Sequence, residues 1–345
     1  MKIKTFGPIS VAILLSACSG NSLVAPDTTT TTTTTTTTDS GTPISSSRVL
    51  PPGTASPSRS VGIFRREAEN TATGSGYVST ISYDSVADTF SVDNLGFDGA
   101  NSYGRGDVTK VASLGPYAVY EGPSIEPDSV TGTPITQFLH RAIYAVGPDG
   151  RTEFAIVRTG SYVGYGFGGF IYQRNDNVTL QTTGQATYSG KYAALRDFKS
   201  RPGLEYATGD MRMDIDFSDF NSGSAVKGYI NNRAVFDIDG NDITNDVLAA
   251  LNGTTGTETQ LPTLSLTVGP GVMDANGEIT GTVNRFTEGT SGSSTDSLDS
   301  GKYYAIISGA GADQQVVGVI VTEAPDYRIT DVTVRETGGF ILTRQ

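Results

Sequence analysis

In its carboxy-terminal half the chain alternates apolar and polar positions with a period of two. The run Asp210-Met211-Arg212-Met213-Asp214-Ile215-Asp216-Phe217-Ser218 puts Met211, Met213, Ile215 and Phe217 on one face. Asp210, Arg212, Asp214, Asp216 and Ser218 fall on the other. Successive side chains of a strand point to opposite faces, so this run predicts a half-buried strand. The turn Asn221-Ser222-Gly223 leads into 225–230 as its hairpin partner. Leu264, Leu266 and Val268 before Asn276-Gly277, with Ile279, Gly281 and Val283 after it, predict a second hairpin. Strand-like runs at 187–195, 302–308, 316–322 and 333–344 bring the total to about eight. One short helix is expected over 245–251, with Thr244 as N-cap and Gly253 as its stop. Eight antiparallel strands with no helical layer close into a barrel, which removes exposed edges. Gly190, Gly228, Gly281 and Gly318 fall inside strands, where they permit close backbone approach.

Residues 61–180 are strand-like but less regular. The candidates are 77–83, 89–92, 116–121, 138–146 and 154–159. Asp149-Gly150 reads as the hairpin turn between the last two. The fold class expected is therefore all-β.

The amino terminus has a different pattern. Lys2 and Lys4 precede an apolar run from Ile9 to Leu15, broken only by Ser10. The run is too short to span a bilayer and reads as a signal-peptide core. Leu15-Ser16-Ala17-Cys18 is a bacterial lipobox, so cleavage after residue 17 leaves Cys18 as a lipidated first residue. Cys18 is also the chain's one cysteine, which leaves no disulfide framework. Ser19, rather than Asp, follows it and favours outer-membrane sorting by analogy with enterobacterial lipoproteins. An unbroken threonine tract at 28–38 and Ser-, Pro- and Gly-rich sequence up to residue 60 have no hydrophobic periodicity. Such sequence does not bury enough surface to offset chain entropy, so 18–60 is expected to be a disordered tether. Its reach is roughly 35–40 Å. The threonines suit either a bare spacer or an O-glycosylated stalk.

Charge narrows the partners. The 345-residue chain carries a formal −12, and losing Lys2 and Lys4 with the signal takes it to −14. An acidic surface argues against nucleic acid and against polybasic attachment to anionic lipid. About 285 residues remain after the tether, enough for two modest domains or one large β domain.

An ordered set of short motifs then carries a family resemblance. Ala186-Thr187-Tyr188-Ser189-Gly190-Lys191-Tyr192, Met213-Asp214-Ile215-Asp216-Phe217 and Val226-Lys227-Gly228-Tyr229-Ile230 resemble the opening barrel strands of the transferrin-binding protein B family. Gly301-Lys302-Tyr303-Tyr304, Val316-Val317-Gly318-Val319-Ile320 and Glu336-Thr337-Gly338-Gly339-Phe340 are similar to its closing strands. Ala305 stands where that family has Gly, and Asp313-Gln314-Gln315 replaces its acidic turn. The resemblance implies a small β-rich handle domain at 61–183 followed by an eight-stranded antiparallel β-barrel at 184–345. In that family one handle and one barrel make a lobe. This chain has the length of one lobe, as do the hemophilins and factor H-binding proteins. The function implied is capture, at the outer-membrane surface, of an iron or haem carrier protein or of haem itself. A TonB-dependent receptor is then a further partner, and the expected state is a monomer. The alternative is a structural, adhesive or masking surface module with no iron role.

The remaining motifs are weighed on their own residues. Gly164-Tyr165-Gly166-Phe167-Gly168-Gly169 fits G-x-G-x-x-G, but its flanks are β-like and aromatic where a dinucleotide site needs a strand and a helix. Its neighbourhood, with Tyr162, Tyr165, Phe167, Phe170 and Tyr172, reads as an interdomain packing seam or a ligand-facing aromatic patch. Counting from Asp237, the segment Asp237-Ile238-Asp239-Gly240-Asn241-Asp242 has Asp242 where a calcium loop requires Gly and Leu248 where it requires Glu. His140 is the single histidine, which excludes multi-His metal sites. It reads first as a strand histidine and second as an axial haem ligand. With no nucleophile triad, P-loop or paired-carboxylate motif, no enzyme is expected and no catalytic residue is assigned. The candidate ligand-binding residues are His140, Tyr162, Tyr165 and Phe167, at the handle and its junction with the barrel.

Overall fold

Short apolar runs punctuated by Gly, Pro, Asp and Asn fold into the strands of the amino-terminal half. The structure, a computed structural model, describes residues 21–22, 49–93, 95–96, 98–105, 110–162, 164–199, 201–217, 226–255, 258–266, 272–286 and 300–345. The signal segment, Cys18, the threonine tract, Ser218, the Asn221-Ser222-Gly223 turn and Val268 lie outside the described residues. The strands are β1 (Asn21–Ser22), β2 (Ile63–Arg66), β3 (Ile81–Asp84), β4 (Thr89–Val92), β5 (Ser102–Arg105), β6 (Ser113–Leu114), β7 (Tyr117–Glu121), β8 (Ile125–Pro127), β9 (Pro134–Thr136), β10 (Arg141–Val146), β11 (Thr152–Arg158) and β12 (Gly168–Arg174). They form an antiparallel sheet in the order β1-β3-β4-β5-β7-β10-β11-β12-β2, with β6 on β7 and β8–β9 as a separate hairpin.

Strands β10 to β12 are buried on both faces. Ile143, Phe154, Ile156, Phe170 and Tyr172 face one way, in a cluster with Ala193, Leu195, Tyr206, Val317 and Val319 of the carboxy-terminal half. Ala142, Tyr144, Ala155, Val157 and Ile171 face the other way and pack with Phe90, Tyr103 and Tyr120. A strand covered on both sides has no reason to alternate, which is why this half looks irregular as sequence. Asp149 and Gly150 do lie in the β10–β11 connection, with φ of 62° and 67°, but not as the expected two-residue turn: Gly147 N–H donates to Thr152 O and Gly150 N–H to Gly147 O, which leaves a four-residue loop over 148–151.

The second half is a closed antiparallel barrel. Its strands are β13 (Gln185–Phe198), β14 (Arg201–Asp216), β15 (Val226–Phe236), β16 (Thr263–Leu266), β17 (Glu278–Phe286), β18 (Ser300–Ser308), β19 (Gln315–Pro325) and β20 (Thr333–Arg344), with β20 pairing back onto β13. Met211, Met213, Ile215 and Phe217 point inward and are buried, as their alternation predicts. The interior is filled by side chains, among them Tyr188, Tyr192, Leu264, Ile279 and Tyr303. Two adjacent glycines of β20, Gly338 and Gly339, are closely approached from opposite faces. A Cβ on Gly338 would lie 2.2 Å from the Tyr192 ring inside the barrel, and one on Gly339 would lie 2.3 Å from Phe154 on β11. This glycine pair lets a barrel strand pack tightly on both of its faces at once.

Several expectations are corrected. Residues 51–60 do not behave as part of the expected 18–60 tether, because they are built into the body. Gly53 bridges Arg65, Thr54 N–H donates to Phe64 O, and Arg66 N–H donates to Pro52 O. Only the end of the predicted 77–83 strand is extended, and β2 and β12 were not expected as separate strands. The helix α1 (Thr244–Thr255) runs through Gly253. Thr244 does not cap it: its hydroxyl bonds the β15 backbone at Val235, and Asp242 Oδ1 accepts from Thr244 N–H. Asn276-Gly277 does turn the chain, folding Met273 onto Ile279, with Asp274 N–H donating to Glu278 O and Thr280 N–H to Val272 O. Leu264 and Leu266 pair further along, with Arg285 and Val283.

Candidate functional site

The junction between handle and barrel is held by buried arginines. Arg65 donates to Glu278 of the barrel through Nε at 2.7 Å and Nη2 at 2.8 Å. Arg158 on β11 grips Glu67 at 2.9 and 3.1 Å and the Thr337 hydroxyl of β20 at 2.9 Å. Arg335 of β20 pairs with Asp197, donates to Ser75 of the handle and lies 4.3 Å above the Tyr165 ring. Arg174 spends its guanidinium on four backbone carbonyls, those of Asn276, Ile307, Ser58 and Val61. Burial brings Arg174 down to about 10. Each of these cations is desolvated but met by carboxylates, hydroxyls or carbonyls, the condition for keeping charge inside a protein. The junction therefore fixes the handle's orientation on the barrel.

The sequence-predicted residues separate across this junction. Tyr165 is 3% exposed, its hydroxyl is sealed, and it packs in the seam against Arg335. Phe170 and Tyr172 face the barrel with it. Tyr162 and Phe167 turn the other way. Tyr162 is 60% exposed and sits at φ 71°, a left-handed backbone unusual for a bulky residue. Its ring is stacked between Phe138, at 6.0 Å, and Phe167, at 5.1 Å. Tyr77 closes the row edge-on to Phe167 at 5.2 Å. The result is an aromatic strip along the handle surface, at the foot of the β8–β9 hairpin. That hairpin exposes Ile125, Val130 and Ile135. Sequence reasoning found Tyr162 and Phe167 but missed Tyr77 and Phe138, which come from distant segments.

His140 lies beneath the strip. It is fully buried immediately before β10, with Nδ1–H donating to the Phe138 carbonyl at 3.1 Å. Its ring is 5.9 Å from that of Tyr103, and Nε2 meets no hydrogen-bond partner among the described residues. Burial, reinforced by Arg141, brings the imidazole down to about 4, so it is neutral at pH 7. Beside it Tyr103 donates to Asp98, whose carboxyl is raised by burial. Neither His140 Nε2, beneath the strip, nor the Tyr165 hydroxyl, in the seam, reaches the surface, so axial ligation of haem by either needs the fold to open there. Among the described residues no group of His, Cys, Asp and Glu side chains is placed to hold a metal ion. Asp237 instead closes its own turn, accepting from the N–H groups of Asp239 and Asn241. The glycine-rich stretch at 164–169 runs into β12 rather than a helix, which removes the dinucleotide geometry.

No family model and no curated protein matches the chain. Solved structures do. A double mutant of the vaccine antigen transferrin-binding protein B from Haemophilus parasuis is 11% identical, with a TM-score of 0.37, over 83% of this chain and 45% of that one. The intact Ap-TbpB, with N and C lobes, is 11% identical with a TM-score of 0.36, over 83% of this chain and 46% of that one. A surface lipoprotein is 11% identical with a TM-score of 0.27, over 56% of this chain and 76% of that one. The chain spans about half the length of the two transferrin-binding protein B chains. At such scores the likeness is loose and carries no function across. Among the described residues no helix is long and apolar enough to cross a membrane.

Proposed function

We propose that this protein is a lipid-anchored, surface-displayed capture protein whose handle grips a carrier of iron or haem. The observation that supports the reading is the strained, exposed Tyr162, stacked between Phe138 and Phe167 at the foot of the β8–β9 hairpin with its exposed Ile125 and Ile135. Backbone strain is kept where surrounding structure enforces it, commonly at functional sites. Large aromatic anchors beside aliphatic contacts are the usual centre of a protein interface. A rigid junction behind the handle presents that surface pre-organised, which lowers the entropy cost of binding. The nature of the cargo comes from the resemblance in the barrel motifs. The sealed positions of His140 and Tyr165 favour a protein over free haem as the molecule gripped.

The test is capture on immobilised mature protein, from host fluid or spent growth medium, with haem titrated alongside. Wild type is expected to retain a carrier protein. Tyr162→Ala is expected to weaken capture at least tenfold, about 1.4 kcal/mol. Undiminished capture by Tyr162→Ala moves the site off the strip. A haem absorption shift that is lost in His140→Ala, with no protein captured, replaces the carrier reading with the haem reading.

A further inference from the structure

A second surface, on the barrel and away from the aromatic strip, has its own construction. The outward side chains of β13, β14 and β15 lock together in pairs. Lys191 Nζ and Asn232 Nδ2 both donate to Asp210, at 2.5 and 2.9 Å. Thr187 Oγ1 donates to Asp214 at 2.6 Å, and Arg212 donates to the same carboxylate through Nε and Nη2. Gln185 donates to Asp216 at 2.8 Å. Hydrogen bonds from Asn232 and then Lys191 hold the Asp210 carboxyl below its usual range. The planar groups are thus oriented before anything binds. Between them stands Tyr229, 38% exposed, directly across from Arg212.

Paired charges on a solvent-facing sheet are ordinary. The shape of this face is not. Three open depressions of about 630, 460 and 450 Å³ run along it, the first two sharing Lys191, Asp210 and Asn232 and the last two sharing Arg212. From Thr208 to Asp216 the trough follows roughly 27 Å of strand. One end is walled by the handle segment 110–115, which is pinned to the barrel where Lys110 meets Asp239 at 3.2 Å and Val111 packs against Gly240. A bulge shapes the same end: the β14–β15 register slips between Thr208 and Asp210, and Asn232 takes φ 49°.

The lining selects an occupant. Lys191 meets Asp210, Arg212 meets Asp214 and Lys110 meets Asp239, and the remaining Lys227 and Asp216 balance in charge, so it asks for no net charge even though the whole chain is −12. It exposes one ring, Tyr229, while Val111, Leu114, Met211 and Ile215 along it are buried, where a protein partner needs a desolvated apolar centre. Ordered planar donors and acceptors flanking one aromatic ring match the alternating hydroxyl and C–H faces of a sugar chain. The geometry points to a binding trough for a neutral oligosaccharide on the outer face of β13–β15, with Tyr229 as the ring against which a sugar stacks.

The experiment applies the mature protein to a printed array of neutral and sialylated oligosaccharides, then titrates the best neutral tetrasaccharide by calorimetry. Wild type binds a neutral glycan. Tyr229→Ala and Asp210→Ala each weaken it at least tenfold, while Tyr162→Ala binds it unchanged. Both trough positions are partly exposed, so the variants fold, which the wild-type thermal midpoint verifies. No neutral glycan bound at millimolar concentration, binding of sialylated glycans only, or full binding by Tyr229→Ala overturns the proposal. Carrier capture that survives in Tyr229→Ala while glycan binding is lost separates this site from the handle.

Discussion

His140 has one nitrogen committed to the Phe138 carbonyl and the other shut away from water. Its pKa falls from 6.5 to about 4 on folding. The unfolded chain therefore binds a proton between those values that the folded chain refuses. The stability this gives is present above pH 6.5 and is lost as pH falls towards 4. The depression corresponds to about 3 kcal/mol. Asp98, raised by burial, works in the opposite direction, so the comparison must be between variants. Urea unfolding at pH 7 and pH 4 is expected to show His140→Phe losing about 3 kcal/mol less than wild type over that interval. Equal losses would mean that the imidazole titrates as if exposed. Gly339 is the second single-residue test. A methyl there meets the Phe154 ring at 2.3 Å, so Gly339→Ala should force the handle off β20. Overpacking of this kind costs about 1–3 kcal/mol. The thermal midpoint should fall, and limited proteolysis should begin cutting in the handle before the barrel.

Individual strands differ in how much they disclosed of themselves. On β14, Ile215 is 1% exposed inside the barrel and Asp216 faces water beside Gln185. Ile215→Asp is expected to abolish cooperative unfolding, because a lone carboxylate in that core costs several kcal/mol. Asp216→Ser should change stability by no more than about 0.5 kcal/mol. Circular dichroism through a denaturant titration checks both, and near-equal effects would put the strand in the wrong register. This strand was legible because one face meets core and the other meets water. By contrast β11 and β12 are buried on both faces and show no alternation, and β2 has four residues, so their sequences carried little periodic signal. The aromatic stretch from Tyr162 to Tyr172 was visible as a group, but its division was not. The chain turns at Tyr162 and at Gly166, with φ of 71° and 89°, and sends Tyr165 inward and Phe167 outward. Phe138 and Tyr77 join the strip only through tertiary folding. The trough was half visible, as the polar face of β14, but its wall and its bulge come from the handle and from a register slip.

For the whole molecule, the two halves depend on each other unequally. The barrel closes β20 onto β13, so it leaves no open edge, and its inner cluster is separate from the cluster at the junction. The handle's central strands have no such independence. Ile143, Phe154, Ile156 and Phe170 are covered only by packing that includes Leu195, Tyr206, Val317 and Val319 of the barrel. Residues 184–345 alone are therefore expected to give a β-type circular dichroism spectrum and a cooperative urea transition. The fragment should also self-associate, because that outer patch is then bare and exposed apolar patches drive contact between copies. Residues 61–183 alone should show no cooperative transition, since one face of β10–β12 would lie open to water and Arg65 would lose Glu278. Mixing the two fragments should restore handle protection in hydrogen exchange, with the barrel serving as template. A handle fragment that unfolds cooperatively by itself, or a barrel fragment that does not, would reverse the order of dependence and with it the argument that the junction pre-organises the strip.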